Sequence, residues 1–368
     1  MNPYLLYQFA NSEGSLQEVA FSHPVTIITA YKLEQVQPAF AKAEEALNQG
    51  RFVAGYVSYE AAPAFDEAFK TYSKTDWPLV WFGVFEHPHD GPEPDEGNFH
   101  VSDWKLDGRF SDYQKGIDAI KEAIEQGNTY QVNYTSRLKA HFEGNDYSFF
   151  KQLAANQHAS YSAYLQLGER RILSASPELF FRMDGNKLTT KPMKGTAKRG
   201  RWTEEDQRLA SELTLSEKDK AENLMIVDLL RNDLGRMAVP GTVQVPRLFE
   251  LETYPTVHQM TSTIQAALPR GVTMYEIFQA LFPCGSITGA PKVRTMQYIA
   301  ELETAPRNVY CGAIGFMTPE REAVFNVPIR TVMLDHGSKE AVYGSGAGLR
   351  GIPPRKVSLP KSRRRRNF

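Results

Sequence analysis

A lysine in a glycine-containing segment is the first residue of this sequence that points to chemistry. Lys194 lies in KPMKGTAKRG, residues 191–200, between Pro192 and Gly195. Proline restricts the backbone before the lysine, and glycine allows a ligand to approach the chain. A lysine amine becomes a nucleophile when its surroundings lower its pKa. The same segment, with Lys198 nearby, is equally consistent with an exposed basic turn.

Two carboxylates on one predicted helix form a second candidate group. Apolar spacing predicts a helix over residues 216–237. Asp219 and Glu222 are three residues apart, which places them one turn apart on one face. Neighbouring carboxylates repel unless a cation or water separates them, and Mg²⁺ is commonly held by one or two carboxylates plus substrate oxygens. Acidic residues on a solvated helix face give the same spacing without a metal.

Three further segments contain candidates for proton transfer and anion binding. His258 lies in a strand-like run and could shuttle a proton, although a hydrogen-bonded core histidine gives the same pattern. The run PCGSITGAPK around Ser286 precedes a predicted helix at 293–303. Its glycines and hydroxyls therefore predict free backbone N–H groups for a carboxylate, or an ordinary tight turn. Arg330 follows an apolar run, where it suits either a carboxylate ligand or a structural ion pair.

Short strands must position these residues. Runs at 179–183 and 187–190, separated by an Asp-Gly-Asn turn at 184–186, predict a hairpin that leads into the lysine segment. Two more apolar runs, 310–316 and 325–332, predict a pair of adjacent strands.

Helices and one polar strand complete the pattern. Helical spacing predicts a helix over 33–48 and another that starts with Ser111 as its cap and stops before Gly127. A strand over 130–137 would carry three polar side chains on one face, which predicts either a polar cavity or a solvent-facing strand. Those side chains are Gln131, Asn133 and Thr135.

Composition excludes several classes of protein. The 368 residues include 42 Lys and Arg against 43 Asp and Glu, so the net charge of -1 gives no reason to expect nucleic acid as a partner. Cys284 and Cys311 do not have the spacing of metal ligands and fit a reducing compartment. Without a signal-like N-terminus or a long apolar run, we expect a cytoplasmic protein that has no membrane partner.

Several motifs together resemble the chorismate-utilising enzymes. They occur in that family's order between residues 111 and 348. The resemblance implies an α+β fold: two large antiparallel sheets packed face to face with helices outside. It also implies a sheet-contributing region at 1–104, a chorismate-binding catalytic region at 105–348 and a divergent segment at 349–368. The motifs are YQVNYTSRL, SASPELFF, PMKGT, AENLMIVDLLRNDLGR, PCGSITGAPKVRTM, VYCGAIGF and VPIRTVML.

Lys194 in PMKGT is typical of the branch that aminates chorismate to 4-amino-4-deoxychorismate for folate and p-aminobenzoate synthesis. The anthranilate synthases carry alanine there, and the isochorismate and salicylate synthases carry lysine where this chain has Gln131. The resemblance implies that Lys194 attacks C2 of chorismate and that the C4 hydroxyl leaves. Ammonia from a separate glutamine amidotransferase subunit would then attack C4 and release the lysine.

The same resemblance implies roles for the other candidates. Glu222, with Asp219, would hold Mg²⁺ against the ring carboxylate, and His258 would lie near the leaving oxygen. Tyr310 and Arg330 would bind the enolpyruvyl carboxylate. The remaining predicted substrate-binding residues are Gln131, Thr196, Ser286, Gly346, Ala347 and Gly348.

The end of the chain departs from the family's pattern. After Gly348 the family continues with I-x-W-D-S and glutamates, one of them a metal ligand, whereas residues 349–368 are basic and contain no acid. Permitted codons for 348–358 read I-T-W-D-S in the neighbouring frame, so we hypothesise a one-base loss near the Gly348 codon. The N-terminal part resembles members fused to an aminodeoxychorismate lyase domain. Loss of the acidic segment makes a catalytically impaired chorismate-binding remnant the alternative, and an anthranilate or isochorismate synthase type is a further one.

Overall fold

Alternating apolar residues in the first strand show how this chain builds two layers. The computed structural model describes residues 2–89, 91 and 93–350. In strand β1, Leu5, Tyr7 and Phe9 lie in one buried cluster, whereas Leu6 lies in another. Because successive side chains of a strand point to opposite faces, one strand supplies two cores.

The described residues contain two sheets of ten strands, paired antiparallel. The first has the order β16-β8-β20-β19-β10-β9-β1-β2, with β6 and β7 also on β8. The second has the order β13-β15-β12-β11-β18-β17-β4-β5-β3, with β14 also on β15. The strands are β1 (Tyr4–Ala10), β2 (Leu16–Ser22), β3 (Thr26–Ala30), β4 (Phe52–Val57), β5 (Val80–Phe85), β6 (Phe99–Val101), β7 (Lys105–Leu106), β8 (Gln131–Gly144), β9 (Tyr161–Leu167), β10 (Arg170–Ser176), β11 (Leu179–Asp184), β12 (Lys187–Lys191), β13 (Met193–Lys198), β14 (Gln244–Thr253), β15 (Val257–Ala267), β16 (Gly289–Ala290), β17 (Ala313–Met317), β18 (Ala323–Asn326), β19 (Thr331–Asp335) and β20 (Glu340–Arg350).

Helices cover the outer faces of the two sheets. Apolar residues of both sheets, including Tyr7, Tyr56 and Met333, meet between the layers. Helix α3 packs on the first sheet, and α1, α5 and α6 pack on the second. The predicted two-sheet α+β fold is therefore confirmed. The helices are α1 (Val36–Asn48), α2 (Phe110–Glu125), α3 (Asp146–Gln157), α4 (Thr203–Leu215), α5 (Glu217–Gly235), α6 (Met274–Leu281) and α7 (Lys292–Leu302).

Local sequence signals place most elements correctly. The predicted hairpin forms as β11 and β12, with Gly185 in the left-handed region at φ 59°. The predicted cap of α2 is wrong, because Ser111 lies inside the helix and Arg109 is its N-cap. The helix predicted over 33–48 begins with a 3₁₀ turn at Leu33–Gln35 before α1. The segment 87–98 lies between β5 and β6, and its described residues form neither strand nor helix.

The strand predicted over 325–332 is interrupted because the chain changes sheet there. β18 ends at Asn326 in the second sheet, and β19 begins at Thr331 in the first. Pro328 lacks an N–H for strand pairing, and Arg330 adopts φ 52°. β17 and β18 do pair, as predicted for the two runs.

In the described part of the chain, no helix has the length and apolar character needed to cross a lipid bilayer. The basic segment predicted at 349–368 is described only at Leu349 and Arg350, which extend β20. Residues 351–368, and with them the frame hypothesis for that segment, lie outside the described residues.

Phe278 allows a test of the apolar core between helix α6 and the second sheet. It is fully buried in α6 and contacts the rings of Phe40, Phe181 and Phe325, with centroids 5.1, 5.7 and 5.3 Å away. Phe278→Ala should lower the free energy of unfolding by about 3–5 kcal/mol, measured by urea denaturation, because a buried ring leaves a cavity. Leu248→Ala, at an exposed position, is the control; equal losses in both variants would contradict this core assignment.

Candidate functional site

Lys194 lies on β13, where it is partly shielded from solvent. Its Nζ donates to the backbone carbonyl of Ser286 at 3.0 Å. Burial holds the pKa of the Lys194 amine below its ordinary value; the Arg350 guanidinium acts in the same direction, and Glu178 and Cys284 oppose it. The exposed-turn alternative therefore does not describe this lysine, whereas Lys198 on the same strand is exposed.

The second sheet fixes the backbone of the lysine segment. β13 pairs with β15, with a register shift between Met193 and Thr196. Gly195 adopts φ 90°, and a methyl group there would lie 3.0 Å from the Cβ of Asp219. Asn223 of α5 is fully buried and donates weakly to the carbonyl of Lys194 at 3.5 Å while it accepts the Ser262 hydroxyl at 2.5 Å. Helix α5 therefore packs directly against the segment that carries the amine.

Sequence reasoning missed Glu178 as a site residue. It follows β10 in the SASPELFF motif and is 4% exposed. Burial raises the pKa of the Glu178 carboxyl, and the Ser286 hydroxyl and the charge of Lys194 oppose the shift. One carboxyl oxygen is buried without a hydrogen-bond partner. Glu178 and Lys194 therefore act on each other's pKa, and the only sequence signal for Glu178 was a glutamate after Pro177 at a strand exit.

The glycine- and hydroxyl-containing run does not form the first turn of α7. Gly285–Ile287 form a 3₁₀ turn, Gly289–Ala290 form β16, and Lys292 begins the helix. Anion binding at the other N–H groups of this run stays a prediction, but those of Ile287 and Thr288 donate to backbone carbonyls and are not free. The turn instead supplies a carbonyl and a hydroxyl from Ser286.

His258 lies in a network of its own. Its ring nitrogens bind Asp206 at 2.9 Å and the Thr253 hydroxyl at 3.1 Å, and the side chain is buried. Arg199 donates twice to Asp206, both at 2.8 Å, which holds the pKa of that carboxyl well below its usual range. This geometry matches the alternative of a hydrogen-bonded core histidine. No hydrogen bond joins His258 to Lys194 within the described residues, and its proton-transfer role stays a prediction.

The two predicted metal carboxylates have different surroundings. Asp219 accepts a hydrogen bond from the Ser216 hydroxyl at the start of α5. Ser216 is the N-cap of this helix, and its hydroxyl accepts the Asp219 N–H at 3.2 Å. The Glu222 carboxylate meets the guanidinium of Arg350. The Glu222 oxygen that lies against Arg350 is buried and accepts no hydrogen bond, so a positive charge beside it is favourable. Glu222 therefore fits a divalent cation as a single protein ligand. In this structure the positive charge beside the Glu222 carboxylate comes from Arg350.

A larger ready-made metal cluster is not present in the described part of the chain. No three His, Cys, Asp or Glu side chains lie close enough together there to hold an ion. A cation at Glu222 would need oxygens from water or substrate, as is usual for Mg²⁺.

Tyr310 packs against the glycines of β20. A methyl group at Gly344 would lie 2.4 Å from the Tyr310 ring, and one at Gly346 would lie 2.9 Å from Thr135 and 3.1 Å from the Tyr310 hydroxyl. β20 also pairs with β8, so that Gly348 lies opposite Asn133. The predicted residues Gly346, Ala347 and Gly348 thus form a strand without bulky side chains beside Tyr310.

The other predicted substrate-binding residues are less closely grouped. Gln131 is 2% exposed, and its Oε1 has no hydrogen-bond partner, which indicates a polar interior rather than a solvent-facing strand. Thr196 is exposed and donates to Gln259 at 2.9 Å. Arg330 donates to Gln157 at 2.7 Å. The described structure contains no hydrogen bond from Arg330 or Thr196 to another predicted site residue.

A match to a known family decides what this site belongs to. Residues 3–350 match the family model described as chorismate binding enzyme. The chain belongs to this family.

Similar proteins extend the comparison. The chain is 42% identical over 246 residues to aminodeoxychorismate synthase component 1 of Salmonella typhimurium, covering 67% of this chain and 54% of that protein. It is 42% identical over 253 residues to the protein of the same name from Escherichia coli, covering 69% and 56%. The chain spans about half the length of these curated relatives.

A solved structure supports the fold. Anthranilate synthase component I from Streptococcus pneumoniae superposes with a TM-score of 0.77 at 24% identity, covering 95% of this chain and 86% of that one. At this identity the likeness concerns the fold, and it agrees with the two-sheet architecture described above.

The lowered pKa of Lys194 can be tested by chemical labelling. Reductive methylation at a series of pH values, followed by peptide mass spectrometry, should label Lys194 to half its maximum at lower pH than Lys198. The reason is that a lower pKa leaves more neutral amine at each pH below about 10.4. A midpoint for Lys194 at or above that of Lys198 would refute the assignment.

Proposed function

We propose that this chain aminates chorismate at C4 to give 4-amino-4-deoxychorismate, with Lys194 as the nucleophile. The observation that carries the proposal is the lowered pKa of the Lys194 amine beside the buried carboxyl of Glu178. The similarity to two proteins named aminodeoxychorismate synthase component 1 supports the same activity. The product would be used in folate synthesis. We also propose that the protein works in the cytoplasm.

The proposed reaction has two displacements. The Lys194 amine forms a bond to C2 of the ring, the C1–C2 double bond shifts to C1–C6, the C5–C6 double bond shifts to C4–C5, and the C4–O bond breaks. Glu178 gives its proton to the leaving oxygen, which departs as water. Ammonia then attacks C4, the two double bonds return to C1–C2 and C5–C6, and the bond to Lys194 breaks. The carboxylate of Glu178 regains a proton from the product ammonium or from water.

Other residues of the chain would bind and orient the dianionic substrate. Tyr310 and the glycine strand at 346–348 leave space beside β8, and Arg330 is proposed for the enolpyruvyl carboxylate. Glu222 would hold Mg²⁺, with Asp219 as the weaker candidate, because Ser216 already engages Asp219. When bound, Mg²⁺ would supply positive charge to the ring carboxylate. The name component 1 of the relatives supports a second, partner component, and we propose a glutamine amidotransferase subunit in that place as the ammonia source.

A catalytically impaired chorismate-binding protein is the second candidate. The ion pair between Arg350 and Glu222 favours it, because that pair occupies the carboxylate proposed for the metal. The two candidates differ in turnover but share the binding of chorismate.

Turnover of chorismate with ammonium and Mg²⁺ tests the proposal. Product identified by mass spectrometry should be 4-amino-4-deoxychorismate, and Lys194→Ala should reduce its rate by roughly 10³-fold or more, since the nucleophile is lost. Lys198→Ala, which removes an exposed lysine of the same strand, is the matched control. Anthranilate or isochorismate as the product, or full activity in Lys194→Ala, would overturn the proposed reaction. Chorismate binding without product would favour the impaired protein.

The competition between Arg350 and a cation can be measured without turnover. Arg350→Gln should bind Mn²⁺, a spectroscopic substitute for Mg²⁺, more tightly than the unaltered chain in electron paramagnetic resonance titrations, because a competing charge is removed. Glu222→Gln should weaken binding in both backgrounds. Arg247→Gln, which alters an arginine paired with Glu250 at the surface, is the control. Equal Mn²⁺ affinity with and without Arg350 would show that the arginine does not compete.

A further inference from the structure

Arg307 is a buried arginine whose donors serve several segments around the site. It lies between α7 and β17 and is 3% exposed. Its Nε and Nη2 donate to the two carboxylate oxygens of Glu303 at 2.9 and 2.6 Å. The guanidinium also stacks on the ring of Tyr59, 4.6 Å from its centroid. A buried charge paired in this way is held in one orientation.

The remaining donors of Arg307 join the turn at Gly285–Ile287 to β8. Nη1 donates to the carbonyl of Ile287 at 2.9 Å, and Nη2 donates to the carbonyl of Asn133 at 2.7 Å. Ile287 directly follows Ser286, whose carbonyl accepts the Lys194 amine. Asn133 reinforces the connection, because its Nδ2 donates to the carbonyl of Ile287 at 3.1 Å.

Other buried groups fix Arg307 itself. Both carboxylate oxygens of Glu60 accept backbone N–H groups, from Arg307 at 2.7 Å and from Asn308 at 2.8 Å. Burial raises the pKa of the Glu60 carboxyl to about 7. Glu303 accepts the N–H of Thr135 at 2.9 Å, so the ion pair is attached to β8 at a second point. The guanidinium is thus supported from the N-terminal region, from β8 and from α7.

We propose that Arg307 is a positioning residue that holds the Ser286 carbonyl opposite the Lys194 amine by fixing the adjacent Ile287 carbonyl on β8. The role requires a planar donor group that reaches Glu303, Ile287 and Asn133 together. A lysine keeps the charge for Glu303 but has its donors on a single atom, so it cannot span the three acceptors.

Arg307→Lys tests this role, with Arg171→Lys as the matched control. Arg171 is 6% exposed, pairs with Asp146 at 2.9 Å and donates to the carbonyl of Arg170 at 3.0 Å, so its replacement makes a comparable change in the first sheet. The pH profile of Lys194 methylation is the main readout. It should move to higher pH in Arg307→Lys and stay unchanged in Arg171→Lys, because a loosened turn admits water to the amine.

Turnover gives a second readout, which rests on the proposed function. With ammonium as the nitrogen source, kcat should fall by about 10²-fold in Arg307→Lys, as expected for a displacement of about 1 Å at the reacting groups. If the unaltered chain makes no product but the methylation profile shifts as described, the proposed function fails and the positioning role stands.

Asn133→Ala keeps the inference testable if Arg307→Lys does not fold. It removes the second donor to the Ile287 carbonyl and leaves the ion pair in place, so the methylation profile should shift in the same direction by a smaller amount. An unchanged profile in the folded variants, or an equal shift in Arg171→Lys, would overturn the positioning role of Arg307.

Discussion

The protonation state of the Lys194 amine depends on how far the fold keeps this amine from water. Desolvation disfavours the ammonium form, so burial by itself makes the Lys194 amine more nucleophilic near neutral pH. An amine without partners would be costly to bury. The carbonyl of Ser286 supplies a hydrogen bond, and the buried carboxyl of Glu178 acts on the pKa of the same amine. Each partner comes from a different part of the chain, so the state of the amine depends on the whole tertiary structure.

Backbone pairing and small residues bring these parts together. β8 pairs with both β16 and β20, and thereby connects the turn that contains Ser286 to the glycines of β20. The glycines permit the close approach of Tyr310, since side chains at Gly344 or Gly346 would collide with it. Arg307 and Glu303 form a buried pair beneath this arrangement. Such pairs contribute little net stability compared with apolar residues, but they fix the groups that they join.

The ion pair between Glu222 and Arg350 shows how the end of β20 affects the site. A buried carboxylate needs a positive partner, and a guanidinium or a divalent cation can provide the charge. Because β20 continues as a strand through Arg350, its last residue reaches helix α5. The residue two positions after Gly348 therefore sets the charge that lies beside the Glu222 carboxylate. In this chain that residue is basic, whereas the resemblance implies an acidic segment after the glycines.

The sequence by itself determined the local elements and the identity of the nucleophile candidate. The Asp-Gly-Asn turn specified the hairpin, apolar periodicity specified α1, α2 and α5, and the motif around Lys194 agreed with the family match. These features depend on neighbouring residues, whose spacing can be read directly. Only the tertiary structure placed Glu178 near that lysine, joined Arg307 to the carbonyl of Ile287, engaged His258 with Asp206, and paired Arg350 with Glu222. Those contacts join residues that are far apart in the chain, and local spacing contains no information about which distant segments a two-layer fold brings into contact.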